Sequence, residues 1–214
     1  MVSPSSRLPT SLHGLYIILD PAAFPGRDLV VVLSAAAEAG ARLFQYRDKT
    51  ASMKDAYQQA VRLRQASADA GALFIVNDRC DLALSVDADG VHLGQQDMPL
   101  THARRLMGPE KLIGVSTHRV EDVDQATTGG ADYLGFGPIF DTGTKPDHEP
   151  VVGIEGLRQA RARTRLPIIA IGGLTLANSR GVVEAGADGI AVVSTVAKAS
   201  DVRATVRDLL AHFA

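Results

Sequence analysis

The stretch EAGADGIAVVS at residues 184–194 carries the pattern that decides the fold: a helix-like segment ends at a glycine and a short apolar run follows. The same pattern occurs around Gly40, Gly71 and Gly130. Gly40 and Gly71 are 31 residues apart, and Gly130 and Gly186 are 56 apart, or two units of 28. A repeat of this length fits one strand, one helix and their loops, and a glycine just past a helix allows the left-handed turn that ends it.

Eight apolar runs follow this rhythm and are predicted to be strands, at 15–20, 42–47, 73–78, 90–94, 112–117, 133–137, 168–172 and 189–194. Amphipathic stretches between them predict helices, among them 28–39, 52–70, 176–185 and 201–213. The apolar runs are nearly continuous, as expected for parallel strands that are covered on both faces. Eight alternating units indicate an α/β fold of the (β/α)8 TIM barrel type, with a doubly wound sheet as the less favoured alternative.

Composition and length exclude several classes of protein. The chain has 214 residues, 46% of them hydrophobic, and a net charge of −2, so neither disorder nor a basic nucleic-acid-binding surface is expected. The single Cys80 excludes an intrachain disulfide framework and a metal site of several thiolates. No apolar run is long enough to span a membrane and no signal peptide is evident, so we expect a cytoplasmic protein without a membrane partner. Residues 1–12 are predicted to be a flexible tail, and residues 13–214 a single barrel domain.

Polar residues concentrate where the predicted strands end, which is the active face of a barrel. Gln45, Arg47 and Lys49 alternate at the end of the second strand and therefore share one face. Two cations and an amide that face a barrel mouth suit an anion. The alternative is that Lys49 is only a solvated loop residue.

Two carboxylates are expected at the same mouth. Asn77 and Asp78 end the third strand, and Asp97 follows the fourth. With no Cys or His cluster nearby, this pair favours Mg²⁺ over Zn²⁺, and an acidic pair beside cations suits a Mg²⁺-bound diphosphate. The alternative is that both aspartates are helix N-caps.

The last three strands end in a long loop and in small residues. The loop at 137–147 is rich in hydroxyl groups around one lysine, and its length is typical of a functional loop that closes as a lid. Gly172 and Gly173 follow the seventh strand, and Val193 and Ser194 end the eighth. In barrels, the loops after these two strands often hold a phosphate.

Other candidates for chemistry have weaker support. His118, after the fifth strand, is either a general base or, with more support, a solvated or capping residue. Ser116 is interpreted as a hydrogen-bonding ligand, because no neighbouring His and Asp would activate it as a nucleophile. Cys80 is interpreted as a small structural residue and His92 as a packed strand residue.

Six motifs in the correct order resemble the thiamine phosphate synthase family: QYRDK, FIVNDRCDLALSVDADGVHLGQQDMP, IGVSTH, GADYLGFGPIFDTGTKPD, IAIGG and AVVST. The resemblance covers about residues 13–197. It implies a barrel enzyme that joins 4-amino-2-methyl-5-(diphosphooxymethyl)pyrimidine to a thiazole phosphate, in its carboxylated form with loss of CO₂, giving thiamine phosphate and diphosphate. It also implies small-molecule substrates and one Mg²⁺ per subunit.

The resemblance assigns residues to each part of the site. It implies a pyrimidine diphosphate site at Gln45, Tyr46, Arg47, Asp48, Lys49, Asn77, Ser116 and Lys145, and a thiazole phosphate site at Thr142, Gly143, Thr144, Gly172, Gly173, Val193 and Ser194. It makes Asp78 and Asp97 the Mg²⁺ ligands and gives catalysis to Arg47, Lys49, Lys145 and Ser116. Tyr46 and Asp48 stand where the family usually has Leu and Glu, and Asp141 stands where Pro is common, which puts the shape of these loops in doubt.

The family reaction is a dissociative substitution that needs no general base. Three other functions remain as alternatives: a related thiazole tautomerase, a phosphosugar isomerase or Schiff-base aldolase using Lys49 or Lys145, and a non-catalytic barrel that binds thiamine precursors. The first would not need the diphosphate-binding residues. Outer helices rich in alanine and valine are compatible with a homodimer.

Overall fold

A computed structural model describes residues 12–143 and 149–214. The eight strands in these ranges form a closed parallel barrel in sequence order, which confirms the predicted (β/α)8 fold. They are β1 Gly14–Leu19, β2 Leu43–Tyr46, β3 Leu73–Asn77, β4 Gly90–Leu93, β5 Leu112–Thr117, β6 Tyr133–Phe136, β7 Ile168–Ile171 and β8 Gly189–Val192. Every predicted strand is present, with its ends within two residues of the prediction. Of the predicted tail, only Leu12 is among the described residues, and it is buried.

Helices connect consecutive strands and cover the outside of the barrel. Those in the described ranges are α1 Leu29–Glu38, α2 Met53–Asp69, α3 Cys80–Ser85, α4 Leu100–Met107, α5 Val120–Gly129, α6 Gly153–Arg163, α7 Ser179–Glu184, α8 Ser194–Ala197 and α9 Val202–Leu210, followed by a 3-10 turn at Ala211–Phe213. Asp28 and Ser52 cap α1 and α2 by accepting hydrogen bonds from backbone N–H groups. The helix predicted at 176–185 begins only at Ser179, because residues 175–178 form a turn. None of the described helices has the length and apolar character to cross a membrane.

Side chains alternate between the inside and the outside of the barrel. Tyr16, Ile18, Leu43, Ile75, Tyr133, Ile169 and Ala191 form a cluster inside it. A larger cluster, which includes Phe44 and Tyr46, fills the layer between strands and helices. On β2 the alternate residues, Leu43 and Gln45, face the interior. This alternation decides which residues of β2 reach the site.

Three aspartates tie the amino-terminal end of the barrel together. Each accepts hydrogen bonds from an arginine and from a backbone N–H at the start of the preceding strand. We call these the three Asp–Arg clamps: Asp89 with Arg64 and the N–H of Phe74, Asp132 with Arg104 and the N–H of Ile113, and Asp188 with Arg161 and the N–H of Ile168. An Ala-Asp pair precedes each of β4, β6 and β8.

The glycines that gave the repeat have the predicted turn geometry. Gly40, Gly71, Gly130 and Gly186 all have positive φ, which confirms the predicted left-handed turns. Gly186 is constrained twice, because its φ is +107° and a Cβ there would lie 2.8 Å from Cγ of Arg161 in the third clamp.

Candidate active site

A cavity of about 530 Å³ opens at the carboxyl ends of the strands. The structure brings many of the predicted site residues together in its wall. These are Gln45, Arg47, Lys49, Asn77, Asp78, Asp97, Ser116, Thr142, Gly172, Gly173, Val193 and Ser194. They come from loops and strand ends all around the barrel, as expected for a site on its active face.

The cations of the cavity each contact a carboxylate. Arg47 pairs with Asp20, a buried residue that directly follows β1 and also accepts a hydrogen bond from Ala22 N over 3.0 Å. Lys49 pairs with Asp78. Asp20 was not among the predicted site residues, although it follows β1 just as Asp78 follows β3. The same reasoning about strand ends would have found it.

Asp78 and Asp97 lie beside each other, and neither is a helix N-cap. Those positions belong to Arg79 for α3 and Pro99 for α4, so the capping alternative is wrong. Asp97 instead accepts a hydrogen bond from Gly94 N over 2.7 Å. Asp78 has a φ of +61°, an uncommon value outside glycine and one that occurs at functional sites. Burial and the adjacent Asp97 raise the pKa of the Asp78 carboxyl.

The floor of the cavity is polar and buried. The ring nitrogens of His92 lie 3.1 Å from Tyr133 Oη and 3.0 Å from Ser116 Oγ, so His92 does more than pack in its strand. Burial lowers the pKa of His92 to about 4, so its ring is neutral at pH 7. Burial also raises the pKa of Tyr16 and of Tyr133, and both hydroxyls therefore keep their protons. Tyr16 and Tyr133 were not predicted, because their contacts depend on strands that are far apart in sequence.

His118 lies in the wall near the end of β5. Its Nδ1 is 2.6 Å from the carbonyl oxygen of Gly137 and therefore carries the proton that it donates there. Arg119 occupies the N-cap position of α5, so the capping interpretation of His118 is wrong. Gln95, another residue absent from the prediction, donates to the backbone oxygen of Ser116 over 2.5 Å.

The side of the cavity after β7 and β8 carries no charged side chain among its predicted residues. Gly172 and Gly173 have φ of +100° and +63°. A Cβ on Gly173 would lie 2.4 Å from the backbone oxygen of Asp141, so any side chain there would displace the loop that follows β6. Val193 and Ser194, at the start of α8, complete this wall.

A model of the family described as thiamine monophosphate synthase matches residues 15–196. The chain belongs to the thiamine monophosphate synthase family. The thiamine-phosphate synthase of Chloroflexus aurantiacus is 51% identical over 92% of this chain and 91% of that protein, and that of Shouchella clausii is 46% identical over 92% and 94%. The solved structure of a thiamine phosphate pyrophosphorylase from Pyrococcus furiosus has a TM-score of 0.85 and 39% identity, covering 95% of this chain and 96% of that one.

In this member of the thiamine monophosphate synthase family, three of the predicted binding residues lie outside the cavity wall. The Tyr46 side chain packs in the layer between strands and helices, because it alternates with the inward-facing Gln45. Asp48 lies on the same side and accepts hydrogen bonds from the N–H groups of Thr50 and Ala51. Gly143 is exposed. Strand alternation and the path of the following loops account for these three positions. Thr144 and Lys145 lie outside the described residues.

Proposed function

We propose that this protein is a thiamine-phosphate synthase that transfers the hydroxymethylpyrimidine group from its diphosphate to the nitrogen of a thiazole phosphate. The observation that supports this most is the division of the cavity into two unlike sides. Arg47, Lys49, Asp78 and Asp97 meet on one side, while the other side is built of glycines and small residues. The first suits a metal-bound diphosphate, and the second suits a phosphate monoester held by backbone N–H groups.

Mg²⁺ is part of this proposal, and the side chains at the mouth fit it. Asp78 and Asp97 offer only oxygen donors, which is the preference of a hard cation. Burial, and then the neighbouring Asp97, raise the pKa of Asp78. Within residues 12–143 and 149–214 no group of three or more His, Cys, Asp or Glu side chains is placed to hold a metal ion. Asp78 and Asp97 are the residues that would hold the ion. When bound, Mg²⁺ would neutralise charge on the diphosphate.

The proposed chemistry asks the protein to stabilise a leaving anion. The bond between the pyrimidine methylene carbon and the diphosphate oxygen breaks, and its electron pair leaves with diphosphate. The amino group of the pyrimidine stabilises the resulting cation, and the thiazole nitrogen then forms the new C–N bond with its lone pair. Arg47 and Lys49 face the departing charge, and we assign Lys145 to the same role from the family motif. No side chain has to remove a proton.

The uncharged side would orient the second substrate. Ser194 offers a hydroxyl group, and Gly173 allows a close approach because it has no side chain. Thr142 contributes a hydroxyl group from the loop after β6. Binding both substrates in one cavity supplies the proximity on which such a bimolecular reaction depends.

The alternative functions use less of this site. A thiazole isomerase has no need for a diphosphate site, so the joint presence of Arg47, Lys49, Asp78 and Asp97 favours the synthase. A Schiff-base enzyme needs a neutral lysine, whereas Lys49 is ion-paired with Asp78. A barrel that only binds thiamine precursors would have the same residues. Only a measurement of product formation distinguishes it from the synthase.

We also propose a cytoplasmic location and a homodimer. Both substrates are phosphorylated and so do not cross membranes unaided. Met53, Tyr57 and Val61 recur every four residues along α2 and are exposed, which supports a contact between copies of the chain.

One assay tests the proposed function. Purified protein is incubated with both precursors and Mg²⁺, and thiamine phosphate and diphosphate are measured. We expect equal amounts of both products and none after chelation of the metal. The variant Lys145→Ala should lower kcat at least tenfold without loss of folding, while Lys54→Ala, at an exposed position on α2, serves as the control. Isomerised thiazole phosphate without thiamine phosphate would contradict the proposal.

A further inference from the structure

Asp20 and Arg47 lie side by side at the mouth of the barrel. Leu19 and Tyr46 are the last pair in register between β1 and β2, and Asp20 and Arg47 directly follow them. Arg47 N donates to Leu19 O over 3.1 Å, which extends the strand pairing by one step. The Arg47 Nη1 group donates to Asp20 Oδ2, and both residues line the cavity. Strand register therefore brings this ion pair to the site.

The turn that carries Asp20 is anchored to the core. Ala22 N donates to Asp20 Oδ1 over 3.0 Å. Ala23 N and Phe24 N donate to the backbone oxygen of Asp20 over 2.9 and 3.2 Å, and Phe24 is buried in the core. The Asp20 side chain is 8% exposed, whereas that of Arg47 is 26% exposed. The carboxylate is thus the fixed member of the pair, and it sets the position of the guanidinium.

A carboxylate beside a site for diphosphate needs a reason, because it repels the anion. Among the described side chains no three His, Cys, Asp or Glu residues are placed to hold a metal ion, so Asp20 does not join Asp78 and Asp97 as a ligand. Its charge also cancels that of Arg47, so the pair adds no net attraction. What Asp20 supplies is direction: one N–H of the planar guanidinium goes to Asp20, and the directions of the other four are then fixed.

We propose that Asp20 is a positioning residue, which holds the guanidinium of Arg47 so that its remaining N–H groups meet the oxygen atoms of the leaving diphosphate. The inference rests on the proposed function, which supplies the diphosphate and the charge that develops on it. Donors that are already oriented need no rearrangement as this charge develops, so they favour the transition state over the bound substrate. Asp20 therefore acts on turnover through Arg47 and touches no reacting atom.

A second pair with the same local geometry lies outside the wall of the cavity and provides the control. Asp28 Oδ1 accepts from Val30 N over 2.9 Å, and Arg62 Nη2 donates to Asp28 Oδ2 over 2.7 Å. In both pairs one carboxylate oxygen accepts from the N–H two residues further on, and the other accepts from an arginine. Asparagine has only one oxygen, so it leaves one of these two donors without its acceptor. Asp28→Asn therefore makes the same chemical change as Asp20→Asn, away from the site.

The first test observes the guanidinium without substrates. Protein labelled with ¹⁵N at arginine is studied by NMR, and the side-chain resonances are assigned through the backbone. We expect separate resonances for the two Nη atoms of Arg47, because the bond to Asp20 slows rotation about the Nε–Cζ bond. Arg62, whose side chain is 53% exposed, should give one averaged resonance, and so should Arg47 in Asp20→Asn. An averaged resonance for Arg47 in the parent protein would overturn the proposal, and this result needs no variant to fold.

The second test separates positioning from a purely structural role. Asp20→Asn should lower kcat about tenfold, which is less than the loss of a donor costs, because Arg47 is still present. KM for the pyrimidine diphosphate should stay within about twofold, since the lost carboxylate no longer repels the anion. In an Arg47→Gln background the same substitution should change kcat less than about twofold. Asp28→Asn should leave both kcat and KM at the parental values.

Two kinetic results would overturn the proposal. One is an equal fall in kcat for Asp20→Asn in both backgrounds, and the other is a rise in KM with kcat unchanged. If Asp20→Asn does not fold, the NMR spectrum of the parent protein decides. If the parent protein forms no thiamine phosphate, the proposed function fails, while the same spectrum still shows whether Asp20 holds Arg47.

Discussion

At the amino-terminal end of the barrel, Asp132 accepts hydrogen bonds from Arg104 and from the N–H of Ile113. At the carboxyl-terminal end, Asp78 pairs with Lys49 but also lies beside a second carboxylate, Asp97. The three Asp–Arg clamps thus match each negative charge with a positive one and satisfy a strand N–H. The mouth of the cavity instead holds two carboxylates, Asp78 and Asp97, beside each other.

This difference separates stability from function within one fold. A clamp lowers the energy of the folded state, whereas adjacent carboxylates raise it unless a cation binds between them. The raised pKa of Asp78 records that repulsion together with burial. Substitutions at the mouth should therefore change catalysis and leave stability nearly unchanged, and substitutions at the clamps should do the reverse.

The largest effect on turnover is expected from Lys49→Gln. The lysine faces the leaving diphosphate and is half exposed, so its loss should lower kcat about 10²- to 10³-fold with little change in Tm. Its matched control is Lys111→Gln, which breaks a Lys–Asp pair with Asp87 at the opposite end. Steady-state kinetics and thermal unfolding of both variants test this. An equal fall in kcat in the two variants would show that the two ends of the barrel do not differ in their role in catalysis.

A smaller effect is expected from Asp97→Asn, and it should concern the metal. Asparagine retains an oxygen that accepts from Gly94 N–H, so the turn should persist while a charged ligand is lost. We expect the Mg²⁺ concentration for half-maximal activity to rise about 10- to 100-fold. The control is Asp132→Asn, in one of the Asp–Arg clamps, which should need the same Mg²⁺ concentration for half-maximal activity as the parent protein. A parental Mg²⁺ titration for Asp97→Asn would remove Asp97 from the metal site.

Much of the charged side of the cavity was predictable from sequence, because it depends on residues that are close together in the chain. The glycine-ended repeat located the strands, and strand alternation then placed Gln45, Arg47 and Lys49 on one face. The same alternation directs the Tyr46 side chain away from the cavity, into the layer between strands and helices.

The floor of the cavity was not predictable in this way. The contact between His92 and Tyr133 joins residues that are 41 positions apart, and it exists because Gly114 has no Cβ between them. Sequence reveals the glycine but not what occupies the space that it leaves. The pairing of Asp20 with Arg47 was likewise missed, although the position of Asp20 after β1 was a usable signal.

On the uncharged side, Gly173→Ala should weaken binding of the thiazole phosphate. A Cβ there would lie 2.4 Å from the Asp141 backbone oxygen, so the loop after β6 must shift, and we expect KM for this substrate to rise about tenfold, or 1.4 kcal/mol. Gly71→Ala is the matched control, since Gly71 has nearly the same φ, +61°, but no atom within 4 Å of its Cβ position. Both variants carry the backbone strain, and only the first should change KM. A similar rise in KM in both variants would show that the backbone strain, and not the contact between the Cβ and the Asp141 oxygen, causes the change.

The smallest effect on turnover is expected from Asp188→Ala, in the third clamp. The arginine of this pair is partly exposed, so its own contribution is small, and the main loss is the acceptor for the N–H of Ile168. An unsatisfied N–H costs about 1–3 kcal/mol, which corresponds to a fall in Tm of several degrees for a chain of this size. Asp188→Asn keeps a carbonyl oxygen near that N–H and should lose less. If Asp188→Ala lowers kcat as well as Tm, the two ends of the barrel are coupled. The separation of stability from function then fails.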